Sequence, residues 1–135
     1  MELATRKQRF FSALADSAIL GAPYALGSYE AAPEPLRLLA VLASLALLVT
    51  QVVMVSRQGQ TLGKRLLGIR IVRKDTFQNG GFVVNVAKRG LLNGLLCLIP
   101  GYFLVDACFI FRADRRCLHD LIAGTVVIQA ETDVV

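Results

Sequence analysis

The 135-residue chain has no tryptophan, a single histidine, three cysteines and a charged fraction of only 19 %. Each shortage closes a class of function. Binding of single-stranded nucleic acid needs aromatic platforms beside a basic groove. Here the basic residues flank apolar runs instead, so the net charge of +5 does not point to nucleic acid. The one histidine, His119, directly precedes Asp120, which leaves no Ser-His-Asp arrangement and no nucleophile elbow. Cys97, Cys108 and Cys117 are an odd set, so no closed disulfide framework is available. Cys117, His119 and Asp120 have side chains able to ligate a metal. A structural zinc site takes four ligands at recognisable spacing, and no second Cys or His pair exists to complete one. Gln58-Gly-Gln-Thr-Leu-Gly-Lys-Arg65 has three residues between its glycines and arginine after its lysine. A phosphate-binding loop needs four and a Ser or Thr. No enzymatic activity, metal or cofactor is expected.

What the chain has is grease. Hydrophobic residues make up 55 % and the mean hydropathy is +0.56, whereas soluble domains carry roughly 25 % charged residues. From Leu38 to Ser56 no side chain is charged, and a bilayer core needs about 20 apolar helical residues. The expectation is one all-α membrane domain over 1–135. One transmembrane helix runs over Phe10–Tyr29, with Pro23 able to kink it, and a second over Leu36–Ser56. Arg6, Lys7 and Arg9 ahead of an apolar stretch resemble a signal peptide, but Asp16 interrupts that stretch and a second span follows, so the first helix is expected to be retained.

Charge sets the orientation. Arg6, Lys7 and Arg9 against Glu30 and Glu34 put the N-terminus in the cytoplasm and the short loop outside. The next connection is basic, with Arg57, Lys64, Arg65, Arg70, Arg73, Lys74, Lys88 and Arg89 against Asp75, and returns to the cytoplasm. Within it Ile69–Lys74 reads as a strand, and Asn79-Gly80-Gly81 as a turn. Phe82–Val86 is ambiguous on propensity. Gly124–Ala130 is a second β-branched segment, and the two strands are expected to pair as a small cytoplasmic ribbon.

The third apolar region, Gly90–Phe111, is broken by Pro100-Gly101. A single kinked span would carry Arg112, Arg115 and Arg116 outside and forbid the strand pairing. A re-entrant hairpin of two half-helices returns the tail to the cytoplasm and is the favoured reading, provided protein or water covers its non-helical backbone.

The intramembrane charges are the candidate site, because an ionisable group at membrane depth costs several kcal/mol unless paired or wetted. They are the carboxylates Asp16, Asp106 and Asp120. Arg9 and Asp16 stand about 10 Å apart along one helix at 1.5 Å per residue, too far for a close pair. Each therefore takes a partner from elsewhere: Asp120 for Arg9, and Asp16 or Asp106 for Arg89. His119 is a candidate proton relay, since an unperturbed imidazole titrates near neutrality.

Three blocks carry a family resemblance. They are Arg9-Phe10 with Ala13 and Asp16, then Gly59-Gln-Thr-Leu-Gly-Lys-Arg-Leu-Leu-Gly-Ile-Arg70, then Arg115-Arg-Cys-Leu-His-Asp-Leu-Ile-Ala-Gly-Thr125. In that order they resemble the RDD family of bacterial integral membrane proteins, with Arg9, Asp16 and Asp120 as the name-giving residues. Arg89 and Asp106 fall where many members carry the same types. The resemblance implies a multi-pass protein of the bacterial inner membrane and a helix following Phe82. Most members have no assigned role; some are associated with export of sodium, lithium or potassium in exchange for protons.

Two functions follow as expectations. In the first, Asp16, Asp106 and Asp120 bind a monovalent cation or a proton in turn, tuned by Arg9 and Arg89. Two spans cannot enclose a pathway, so this antiporter needs a homo-oligomer or a larger membrane complex. In the second, the Arg/Asp set is a structural lock in a non-transporting scaffold or accessory subunit, whose basic loop docks anionic lipid headgroups or a partner.

Overall fold

Thr5 starts the first helix. Its hydroxyl accepts from the backbone N–H of Gln8 at 3.1 Å, and its own N–H donates to the Gln8 side chain at 2.9 Å, a closed capping box. Helix α1 therefore runs over Arg6–Gly27, beginning four residues before the apolar run suggested, and continues through Pro23. Pro33 and Pro35 bracket the start of α2, Glu34–Gln58, where a missing N–H costs nothing. Gly59 ends it in the left-handed conformation, φ 68°, with its N–H on the Val55 carbonyl. This computed structural model describes residues 1–130.

Helices α1 and α2 lie antiparallel and close: a Cβ on Gly27 would stand 3.0 Å from the Cβ of Ala40. At 22 and 25 residues they are long and apolar enough to cross a membrane. Leu38, Leu42, Leu45 and Val49 are more than half exposed along α2. Such uncovered apolar surface is unstable in water and natural in lipid.

After α2 the chain doubles back. A five-residue helix, α3 (Leu62–Leu66), packs on α1, and strand β1 (Ile69–Arg73) follows. Val83–Leu91 forms a π-helix that continues into α4, Leu92–Leu96. Propensity left Phe82–Val86 ambiguous; it is helical. A turn at Pro100-Gly101, with Gly101 at φ 83°, leads to α5, Tyr102–Cys108, and a 3-10 turn over Phe109–Phe111. The Tyr102 hydroxyl donates to the Asn93 side chain at 3.0 Å, tying one arm of this region to the other. At seven residues α5 spans about 10 Å, far short of the roughly 30 Å of a hydrocarbon core.

Helix α6 (Leu118–Ala123) and strand β2 (Thr125–Gln129) finish the described chain. The expected ribbon forms, antiparallel, with Ile71 opposite Val127. Both of its edges are covered. Ala4 donates to the Val127 carbonyl at 3.0 Å and Gln129 to that of Glu2 at 2.9 Å, so the N-terminal segment lines β2. Ile71 donates to the Gly59 carbonyl at 2.7 Å along the other edge. One face buries Ala4, Ile69, Ile71 and Val127; the other buries Val72, Val126 and Ile128.

Candidate functional site

The polar side chains meet where α1, α3, the π-helix and α6 converge. Asp16 faces the N-terminus of α3, where backbone N–H groups lack helical partners. Its Oδ1 accepts from the Gly63 N–H at 2.8 Å and from Gln51 Nε2, on α2, at 3.0 Å. Its Oδ2 accepts from the Thr61 hydroxyl at 2.5 Å, with Lys64 Nζ at 3.7 Å. Gln51 also accepts from the Leu62 N–H at 3.0 Å. The approach depends on Gly63, since a Cβ there would lie 2.3 Å from the Ser12 carbonyl oxygen.

Asp120 is fully buried on the first turn of α6. Arg9 Nη2 reaches its Oδ2 at 2.5 Å and Arg89 Nε reaches its Oδ1 at 2.8 Å. The Cys117 N–H adds a bond at 3.1 Å and the Thr125 hydroxyl one at 3.4 Å. Burial alone would raise this carboxyl; the Arg89 and then the Arg9 charge outweigh it and hold the group well below the usual carboxylate range. Arg9 also donates to the Arg115 carbonyl. Lys64 is lowered as well, here against its charged form: burial first, then the charge of Arg89, bring its ammonium down to about 8, with Asp16 opposing.

The expected pair Arg9–Asp120 forms. The expected pairing of Arg89 with Asp16 or Asp106 does not, because both guanidiniums converge on Asp120 while Asp16 takes neutral donors and Lys64. Asp106 on α5 goes to His119: the ring Nδ1 lies 2.9 and 2.8 Å from its two oxygens, and the His119 backbone N–H donates to it at 2.9 Å. On the other side of the ring, Arg89 Nη2 lies 3.1 Å from Nε2.

A metal would find a different trio from the one the sequence offered, since donor atoms of Asp106, Cys117 and His119 lie within 4.8 Å of one another. Their chemistry fits poorly. Asp106 and His119 already bond each other, and burial pushes the Cys117 thiol up to about 11. Guanidinium nitrogens stand 3.4 Å from that sulfur and 3.1 Å from the ring.

A sequence model of the RDD family matches residues 3–124. The chain belongs to the RDD family. Arg9, Asp16 and Asp120 all fall in the matched range, and so do Gln51, Thr61, Gly63, Lys64 and Arg89. An uncharacterized protein, YckC, of Bacillus subtilis is 41 % identical over 76 residues, covering 54 % of this chain and 49 % of the relative. An uncharacterized protein of Haemophilus influenzae is 34 % identical over 74 residues, covering 54 % and 47 %. The chain thus spans about half the length of these curated relatives. No solved structure matches it.

Several site residues of this RDD chain escaped sequence reasoning. Gln51 lies inside an uncharged run that reads as pure membrane span, yet it bridges Asp16 and α3. Arg116 looks like an orienting charge but is buried, donating from Nε to the Thr125 carbonyl at 2.9 Å and from Nη2 to that of Asp120 at 3.2 Å. Lys64 and Arg65 are adjacent and opposite in role: Lys64 points inward to Asp16, and Arg65 is exposed beside a recess of about 230 Å³ that it lines with Ile19, Leu62 and Leu66.

Proposed function

We propose that this RDD protein is a non-transporting module of the bacterial cytoplasmic membrane whose Arg/Asp set locks a cytoplasmic ribbon onto a two-helix anchor. The observation that carries the reading is saturation of the carboxylates. Asp120 is held by two guanidiniums with no exposure, and Asp16 accepts from a backbone N–H, an amide and a hydroxyl, with an ammonium beside it. A cation needs free oxygens, whereas these are already occupied by donors.

Topology supports the same reading. Residues 2–4, β1 and β2 share one sheet, so they lie on one side of the membrane. With α1 and α2 as the spans, this supports a third region that enters and leaves on that side as a re-entrant hairpin. The charge rule supports the cytoplasmic side. Arg57, Arg65, Arg73, Lys74 and Lys88 are exposed there for anionic headgroups or a partner subunit. The test pairs stability with flux. Asp16→Asn and Arg9→Ala should lower the unfolding midpoint in detergent, while wild-type protein in liposomes leaves a pH gradient intact when sodium is added. Sodium-driven dissipation by the wild type overturns the proposal.

A second reading, monovalent cation/proton antiport by a homo-oligomer, is favoured by one feature: the Asp106–His119 pair is titratable and its side chains keep 13 and 17 % exposure. In that reading Asp106 exchanges its proton through His119 while Asp16 and Asp120 complete the path. Sodium-dependent flux that Asp106→Asn abolishes would establish it.

A further inference from the structure

The single imidazole has a donor on one side and an acceptor on the other, which fixes its state. Arg89 Nη2, 3.1 Å from His119 Nε2, has only hydrogens to offer, so Nε2 accepts. Nδ1, within 2.9 Å of both Asp106 oxygens, therefore carries the proton. Neutral His119 thus ties together the two ends of the Pro-Gly region, Arg89 before it and Asp106 on its returning arm, from a third element, α6.

We propose that His119 is a proton-operated latch: taking up a proton, it releases Arg89 and so frees the entering arm of the Pro-Gly hairpin, while its bond to the returning arm tightens. A second proton sits on Nε2, where it meets an N–H of Arg89 head-on, and the 3.1 Å contact turns from attractive to repulsive. Asp120 Oδ1 lies 3.5 Å from Nε2 as an acceptor for that new N–H, an oxygen already taken by Arg89 Nε. His119 and Arg89 become competitors for one oxygen. On the other face, the neutral hydrogen bond to Asp106 becomes an ion pair. Arg89 from the π-helix, Asp106 from α5 and Asp120 of α6 face the ring itself, and Arg9 from α1, Lys64 from α3 and the neutral Cys117 thiol belong to the same cluster around Asp120. This device operates whether the module transports or not, so it stands apart from the preceding proposal.

A chain with one histidine makes the test free of assignment. The whole protein, labelled with 15N-histidine in lipid nanodiscs, is followed by imidazole nitrogen shifts from about pH 8 to about pH 5, the range in which histidine changes charge. Hydrogen exchange is measured on the same samples. At the upper end the ring should show an Nδ1–H, unprotonated-Nε2 tautomer. As it gains its second proton, amides 83–91 should exchange at least several-fold faster, with no change in 125–129. An Nε2–H tautomer at the upper end overturns the latch, and so does full titration that leaves exchange over 83–91 unaltered. Asp106→Asn keeps an acceptor for Nδ1–H but removes the ion pair, so its ring should protonate at lower pH than the wild type. An unchanged titration there also counts against the mechanism.

Discussion

Replacing Asp120 with asparagine tests the lock where it is tightest. The carboxylate is fully buried, and the Arg9 and Arg89 side chains that grip it are only 9 and 13 % exposed. Asparagine keeps the shape and one acceptor but leaves two guanidiniums without a counter-charge. Removing one partner of a buried pair typically costs about 3–5 kcal/mol, and two cations are stranded here, which favours the upper end. Asp114→Asn is the control. Asp114 meets Arg112 at 3.2 Å, but that pair is only half-buried and should contribute about 0–1 kcal/mol. The assay is a denaturant titration of purified protein in mild detergent, followed by circular dichroism. The acid limb gives a second signature. A carboxyl held below its unfolded value contributes stability that is complete above about pH 4 and lost as pH falls through the folded value. Asp120→Asn should show a smaller limb than wild type, the remainder coming from other paired carboxyls such as Asp114. An Asp120→Asn protein within about 1 kcal/mol of wild type, limb intact, would refute the argument.

Gly63→Ala should be as damaging as losing Asp16, since its new methyl lands 2.3 Å from the Ser12 carbonyl oxygen and drives α3 off α1. A wild-type unfolding midpoint would contradict it. Gly59→Ala should unfasten β1, because a Cβ there meets the Ile71 carbonyl oxygen at 2.3 Å and the backbone needs φ 68°; faster hydrogen exchange across β1 reports it. Lys64 binds its proton less tightly folded than unfolded, so it penalises the folded state fully below about pH 8 and the penalty vanishes as pH rises toward the unfolded value. Wild-type stability should therefore gain an increment with pH across that window, and Lys64→Gln should flatten it.

Much of this is legible in the amino-acid sequence alone. The two spans, both strands and their pairing came from apolar runs, β-branched segments and charge bias, all local signals. Helix α1 starts at Arg6 because Thr5 and Gln8 cap it, a Thr-x-x-Gln spacing that the apolar run beginning at Phe10 does not include. The partners of the charges were not readable. Arg89 is attractive to any carboxylate, and nothing in its neighbours says that Asp120 already has one guanidinium and takes a second. Gln51 and Gly63 were invisible for a different reason: the hydrogen bonds that give them meaning run to residues 35 and 47 positions away. Spacing reveals a motif whose parts are adjacent on one element, whereas this site draws its parts from six.

That dispersal explains why the site is charged at all. Between helices in lipid, apolar contact discriminates little, because an acyl chain is as good a neighbour as leucine. The long exposed faces of α1 and α2 accordingly say nothing about where α3, the π-helix and α6 should sit. Polar groups do say it, since each unpaired one is costly away from water. Arg9 finds its carboxylate only if α6 lies across the start of α1, and Arg89 finds the same carboxylate only if the π-helix closes over both. Asp16 finds Gly63 only if the chain folds straight back after Gly59. An apolar replacement of Arg9, Asp120 and Arg89 together would therefore restore stability more readily than it would restore this arrangement. The set acts as an address for each segment before it acts as a source of stability.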